Sequence, residues 1–365
     1  MASPADAPSE RSSGAPAAGF DYHLPAELIA QHPAPDRDGA RLLVVRRHGD
    51  VAAVHSSIGE LPGWLRAGDV LVVNRSRVLP ARLRARRAGG GAAEVLLVAP
   101  LGAERWKALV RPARRLRPGQ RLTLVRPPHA PGAAEAAARP EVRIVRLAEG
   151  YAEVELPVGE DPAELLARFG EPPLPPYIRR PDGALAEDWR RYQTVFAAEP
   201  GSIAAPTAGL HLSERVLAAL RAAGVEVAEV VLHVGPATFL AGRPGRAPLA
   251  VEPERYLIPP ATGALLRAAK GRRRIVAVGT TTTRALESAA RAGWPEGMQQ
   301  TSLVLAPGDR FEVIDALLTN FHLPGSSLLA LVAAFGGVET MRRAYAEAVG
   351  ARYRFYSYGD AMLIA

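Results

Sequence analysis

Five stretches place side chains where they could do chemistry. In "TNFHLPGSSLLALVAAFGG", residues 319–337, Asn320 and His322 stand just ahead of Ser326 and Ser327, which can cap the apolar helix that follows. "AAPTAGLHLSERV" sets Thr207, Gly209 and His211 in a tight loop before a helix that begins at Ser213. A glycine there would let backbone approach a ligand closely. His233 ends the apolar run "VEVAEVVLHV". "VAVGTTTTRALE" passes from strand to helix through Gly279, Thr280, Thr281, Thr282 and Thr283. An N-cap explains one of those hydroxyls; the others, with the free N–H groups of the first turn, suit a carboxylate or ribose oxygens. "RFYSYGDAMLI" offers Tyr358 for stacking and Asp360 as a carboxylate. Imidazoles, with pKa values near neutrality, point to proton transfer. Each residue taken singly also has a structural account: a buried histidine with two hydrogen bonds, a packed tyrosine, a capped helix.

The elements around these residues indicate a two-part α/β protein. With 365 residues the chain is long for one simple domain. Apolar residues make up 48% and mean hydropathy is near zero, as in a soluble globular protein, and no run approaches the ~18 apolar residues of a membrane span. There is no cysteine, which excludes disulfides, thiolate nucleophiles and zinc–sulfur sites and makes the cytoplasm the default location. Residues 1–19 lack an apolar segment and read as a disordered tail. Strands are expected at 42–45 and 69–74, with a short helix at 26–31 before them. From 80 to 158 short alternating runs broken by Gly and Pro predict an inserted antiparallel β-barrel. Beyond 159 helices alternate with strands, ending in a helix after Pro324, so 20–79 and 159–365 are expected to form an α/β body with a mostly parallel sheet. In such sheets ligands sit at the carboxyl ends of strands, where three of the five stretches fall. GxGxxG, Walker A, HExxH and GxSxG motifs are all missing.

Charge is unevenly spread. The net +8 arises from +12 within residues 75–126, where 14 basic residues face Glu94 and Glu104, and −4 elsewhere. That concentration suits a polyanion such as RNA, although a solvated arginine face would look the same. Arg111, Arg114 and Arg115 in "RPARRLRPG" are the candidate phosphate contacts.

The blocks "FDYHLPAELIAQHP", "GDVLVVN", "LPPYIRRP", "RYQTVFA", "GSIAAPTAGLH", "LHVG", "GTTTTRALES", "DALLTNFHLPGSSLLALVAAFGG" and "YRFYSYGDAMLI" resemble, in order and spacing, the S-adenosylmethionine:tRNA ribosyltransferase-isomerase family of queuosine biosynthesis. The resemblance covers essentially everything after the tail. It implies an α/β body interrupted by a barrel, a monomer, and S-adenosylmethionine serving as ribosyl donor. The acceptor would be 7-aminomethyl-7-deazaguanine at the wobble position of a tRNA; the products would be epoxyqueuosine-tRNA, adenine and methionine, with no metal or redox cofactor. Carried onto this chain, it makes His211, His233 and His322 catalytic, His211 as the base and His322 as second candidate or adenine acid. Thr207 and Gly209 would line the reacting centre, Thr280, Thr281, Thr282, Thr283 and Asn320 would hold the ribose or methionine carboxylate, and Tyr358 and Asp360 would contact the purine. Three departures fall on loops expected to face the acceptor: Arg75 where the family has Asp, Pro236-Ala237 where it has Ala-Gly, and Leu249 and Glu252 at histidine positions. Two other readings stay open, a paralogue that cleaves the same donor for another acceptor and a catalytically silent RNA-binding protein.

Overall fold

Val70–Asn74 is apolar until its last residue and buried along its whole length, as a strand covered on both faces must be. Its alternate residues enter two different cores, Val70 and Val72 on one face, Leu71 and Val73 on the other. A computed structural model describes residues 19–47, 53–102, 104–130, 139–148, 150–236, 239 and 252–365. The expected tail thus lies almost wholly outside the described residues, as do Ala237 and Leu249.

Val70–Asn74 is β3 of a nine-stranded sheet. Its order is β16 (Gln299–Thr301), β14 (Glu254–Leu257), β13 (Glu226–Leu232), β3, β15 (Ile275–Val278), β17 (Ala316–Asn320), β18 (Ala361–Ile364), β1 (Arg41–Val45) and β2 (Val54–Ser57). β13, β3, β15 and β17 run parallel, so their carboxyl ends share one edge. β18 and β1 are parallel to each other, but β18 is antiparallel to β17, and β14 and β2 pair antiparallel with their neighbours. The expectation of a mostly parallel sheet is therefore corrected: the sheet is mixed, with half of its pairings antiparallel.

The reversal has a plain cause. A single helix between two strands carries the chain back to the starting edge and gives a parallel pair. After β17 two helices follow, Ser327–Gly336 and Val338–Gly350, divided at Gly337 with φ 84°, and two helices return the chain to the edge it left. β18 must then run the other way. Its first residue, Ala361, pairs with the last of β17, Asn320, so residues 353–360 arrive at the carboxyl edge of the parallel strands. The sequence pattern had shown one helix after Pro324 and hidden the second. The expected helix at 26–31 is only a 3₁₀ turn, Ala26–Leu28.

The basic stretch forms the barrel. β5 (Arg82–Arg87), β6 (Ala92–Pro100), β7 (Arg105–Arg111), β10 (Tyr151–Glu155), β9 (Glu141–Ala148) and β8 (Arg121–Val125) pair antiparallel in that order, and β8 closes onto β5. Inward residues such as Leu83, Val95, Leu122 and Val154 fill it, together with Leu165, Leu166 and Phe169 of the helix Pro162–Phe169, which Asp161 caps through Ala163 N–H at 2.6 Å. β11 (Gly170–Glu171) adds to β5. A short parallel pair, β4 (Ser76–Val78) with β12 (Glu199–Ser202), joins the strand entering the barrel to the chain leaving it.

Candidate active site

The carboxyl edge gathers three of the stretches singled out above, and Asn74 with them. His233 follows β13, Asn74 ends β3, Gly279 follows β15 and Asn320 ends β17. With neighbouring strands about 4.8 Å apart, the four ends span roughly 14 Å. The 3₁₀ turn Thr207–His211 crosses this edge. A Cβ at Gly279, where φ is 90°, would stand 3.4 Å from Ala208 Cβ, so turn and threonine loop are in contact.

His211 and Asn320 form the centre of the arc. Asn320 Nδ2 lies 3.0 Å from His211 Nε2 and 3.0 Å from the Tyr356 carbonyl. A carbonyl can only accept, so the amide nitrogen must face it; the same nitrogen then donates to His211 Nε2, which leaves the ring proton on Nδ1. Asn320 Oδ1 and the Tyr356 hydroxyl are buried without a partner, two polar groups available to a ligand. Tyr356 sits at φ 71°, uncommon for a bulky residue, and stacks on Tyr177 at 4.5 Å between ring centroids. The sequence offered Tyr356, with Phe355 and Tyr358, as a ring for stacking; its positive φ and unpaired hydroxyl were not signalled.

His322 approaches the edge from the other side of the sheet. Leu317 and Leu318 enter opposite cores, so Thr319 and Asn320 also face opposite ways. His322 Nε2 bonds Thr319 Oγ1 at 2.8 Å, and its backbone is clamped between the hydroxyls of Tyr345 and Tyr22. Because a hydroxyl both donates and accepts, either tautomer of His322 is open, including the one with a bare Nδ1 lone pair. The two imidazoles are therefore not one loop cluster but a pair flanking the end of β17.

Burial drives both rings toward the neutral form. The pKa of His211 falls to about 4 chiefly by desolvation, with Arg354 and Arg191 pushing the same way against Asp360. That of His322 falls to about 4 through burial alone. Since the unfolded chain takes up a proton near pH 6.5 and the folded one only near 4, stability is complete above the unfolded value and is lost as pH falls between the two. By that relation each ring removes roughly 2 kcal/mol of unfolding free energy on going from pH 8 to pH 5. Urea unfolding at the two pH values should show this loss, and the difference should shrink by about 2 kcal/mol in a His322→Asn variant.

The far end of the arc is a hydroxyl relay. Ser76 Oγ bonds His233 Nδ1 at 2.9 Å and Ser202 Oγ at 2.6 Å, and Ser202 accepts from Val234 N–H at 2.9 Å. Burial first, then Arg255, lowers the His233 pKa against Glu199. Asn74 grips Leu232 through both its amide atoms, at 2.9 and 3.0 Å, and reaches Thr281 Oγ1 at 3.4 Å. Ser76, Ser202 and Asn74 were missed by sequence reasoning; the available signal was a hydroxyl two residues beyond a strand-ending asparagine. Arg75 turns away from the arc to Glu229 at 3.2 Å.

Several expected contacts are already engaged within the protein. Thr282 and Thr283 donate to the carbonyls of Val278 and Gly279, at 2.7 and 3.1 Å, so only Thr280 and Thr281 retain hydroxyls for a ligand. Gly209 is required by packing, since a Cβ there would lie 2.8 Å from Phe196 and 2.9 Å from Thr194; Thr207 opens the same turn, half-buried. Asp360 accepts from Arg41 N–H at 3.1 Å and Nε at 3.2 Å, and from Arg354 N–H at 2.8 Å and Nη2 at 3.2 Å, which saturates it. It locks β1 to the final loop and has no capacity left for a purine. The Tyr358 hydroxyl donates to Asp188 at 2.8 Å and its ring meets Tyr192 edge-on, leaving one side as the wall of a small pocket beside His211. Glu252 engages Lys107 at 3.5 Å and Tyr151, on the barrel.

On the barrel several arginines face glutamates, among them Arg82–Glu94, Arg105–Glu153, Arg121–Glu141 and Arg143–Glu155. Arg111, Arg114 and Arg115 are exposed and have no carboxylate within ion-pair distance among the described residues. The excess positive charge is thus displayed rather than neutralised.

Residues 17–364 match the family model described as queuosine biosynthesis protein. The chain is 47% identical over 348 residues to an S-adenosylmethionine:tRNA ribosyltransferase-isomerase of Azoarcus sp., covering 94% of this chain and 96% of that one. It is 48% identical to the same enzyme of Thermus thermophilus, covering 94% and 98%. A crystal structure of the S-adenosylmethionine tRNA ribosyltransferase of Thermotoga maritima superposes with a TM-score of 0.53 at 36% identity, over 95% of this chain and 99% of that one. Among the described residues no helix is long and apolar enough to cross a membrane.

Proposed function

The chain belongs to the queuosine biosynthesis protein family, and we propose that it transfers and isomerises the ribosyl group of S-adenosylmethionine onto the aminomethyl group of 7-aminomethyl-7-deazaguanine at a tRNA wobble position, giving epoxyqueuosine-tRNA, adenine and methionine. The observation that carries this reading is the His211–Asn320–Tyr356 constellation, with unpaired polar atoms, at the carboxyl edge of the parallel strands. The positive sulfur acidifies the protons on the ribose carbon beside it, so a neutral imidazole can take one. His211 is poorly placed for that step because its only lone pair already accepts from Asn320. We assign proton abstraction to His322 and give His211 the role of an Nδ1–H donor toward the departing adenine or a ribose hydroxyl. Asn320 Oδ1, Thr280 and Thr281 would accept and donate to the ribose, and the His233–Ser76–Ser202 relay would handle the proton of the attacking amine. A ribose oxygen closes the epoxide as the carbon–sulfur bond breaks and methionine leaves. Both leaving groups depart as closed-shell molecules, so the reaction so written takes no metal or redox cofactor. We read the protein as a monomer acting in the cytoplasm, where tRNA is.

The test is incubation of the protein with S-adenosylmethionine and tRNA bearing the aminomethyl base, following free adenine, then mass spectrometry of the tRNA nucleosides. Epoxyqueuosine appearing with stoichiometric adenine supports the proposal; adenine without epoxyqueuosine means another acceptor, and no adenine means a silent RNA-binding protein. The barrel arginines are assigned to tRNA phosphates. Reversing Arg111, Arg114 and Arg115 to Glu should weaken tRNA binding and make the slope of log affinity against log salt shallower by about 2 to 3. An unchanged slope removes these arginines from the interface.

A further inference from the structure

Beside His211 lies a small pocket, open to solvent on one side, lined by Arg37, Arg191, Leu210, Tyr358 and Gly359. Neither arginine was singled out by the sequence. Arg37 Nη1 donates to the Leu210 carbonyl at 3.3 Å and Nη2 to that of Arg190 at 2.7 Å; Arg191 Nη1 donates to the Pro35 carbonyl at 2.8 Å. These bonds go to neutral oxygens only. Among the described residues neither guanidinium has a carboxylate within ion-pair distance, and Arg191 Nε is buried with no partner. Glu187 and Asp36 act on Arg191 only from further away. Asp360, next to the pocket in sequence, is saturated by Arg41 and Arg354.

Two half-buried guanidiniums brought near each other without an anion are costly to maintain. Burial lowers the pKa of both, and Arg191 lowers that of Arg37 further. Backbone carbonyls fix their positions, so the forks are preorganised, and arginine forks match the two oxygens of a carboxylate. The pocket is small, fit for a carboxylate rather than a purine or sugar. If the donor occupies the arc, its cationic sulfur must lie away from the guanidiniums, and the one anionic group of the molecule, the carboxylate of its methionyl arm, can reach them.

We propose that Arg37 and Arg191 form the carboxylate subsite of the donor, gripping the α-carboxylate of the methionyl group beside His211. The subsite rests on the donor reading given above. It selects an amino-acid sulfonium over one without the carboxylate, and it takes free methionine as a competing ligand.

The experiment compares S-adenosylmethionine with its decarboxylated analogue, which keeps the sulfonium, ribose and adenine, in the adenine-release assay with aminomethyl-bearing tRNA. The wild-type protein should favour the intact donor in kcat/KM by about 30-fold or more, the size expected for charge-assisted hydrogen bonds. In Arg37→Met and Arg191→Met variants that preference should fall toward unity through a raised KM for the intact donor, with tRNA affinity unchanged. Equal use of both donors by the wild-type protein overturns the subsite whether or not the variants fold. A preference that survives both substitutions overturns it too, as does a weakened tRNA affinity with flattened salt dependence, which would mark a phosphate contact. If the wild-type protein releases no adenine from either donor, the failure lies with the functional reading on which the subsite rests.

Discussion

His322→Ala lowers the single-turnover rate of adenine release by about 10³-fold, within the range typical of a lost general base, and leaves tRNA affinity unchanged. The expectation follows from which lone pairs are free. His211 Nε2 is committed to Asn320, whose amide cannot turn over because its nitrogen is also held by the Tyr356 carbonyl. His322 is held by Thr319, and a hydroxyl permits the tautomer with a bare Nδ1. Its pKa of about 4 means that it is neutral at physiological pH; lowered basicity is the other side of that burial, and the sulfonium must supply most of the acidity. Chemistry in deuterium oxide separates a base from a packing residue: solvent deuterium should enter the sulfur-bearing carbon of donor recovered from the wild-type reaction and be lost in the variant. A His322→Ala protein that reacts at the wild-type rate would return the base to His211 or His233. His211→Gln should cost less, about 10- to 100-fold, because an amide can still donate.

Asp188→Ala destabilises the fold by about 3–5 kcal/mol. Asp188 is completely buried, and its two oxygens take four hydrogen bonds: Arg180 Nε at 2.7 Å and Nη2 at 3.1 Å, Leu185 N–H at 2.8 Å and the Tyr358 hydroxyl at 2.8 Å. Arg180 is itself buried, so removing the carboxylate strands a guanidinium in the interior, and the stranded charge rather than the lost attraction sets the cost. Urea unfolding monitored by circular dichroism should give the loss directly. An Arg180→Met, Asp188→Leu double variant should lose less than the single one, since no ion is then left alone. A double variant as unstable as Asp188→Ala would mean that the Tyr358 and Leu185 contacts carry the stability instead. The same carboxylate sets Tyr358 in place, so activity should fall with stability even though Asp188 touches no substrate.

Much of the architecture could be read from local pattern. The apolar run ending at Asn74 announced a strand, and short alternating runs between Gly and Pro announced the barrel, because period-2 burial is written into each strand separately. What escaped was strand direction. The reversal of β18 depends on the number of helices after β17, and that number turned on the break at Gly337, where the apolar helix Ser327–Gly336 gives way to the amphipathic helix Val338–Gly350. Direction mattered for the site: it delivers Tyr356 and Asp360 to Asn320, and it makes Asp360 a lock between Arg41 and Arg354 instead of a ligand group.

Residue types and spacing by themselves determined which positions lie at strand ends, that the barrel carries the excess charge, and that histidine, threonine and asparagine meet there. They could not determine which hydroxyls, imidazole nitrogens and guanidiniums remain unpaired, because a hydrogen-bond partner is a neighbour in space that is here often more than a hundred residues away. Only the folded chain spends Thr282 and Thr283 on their own helix, ties up the His211 lone pair, saturates Asp360, and leaves Arg37 and Arg191 facing a pocket without an anion.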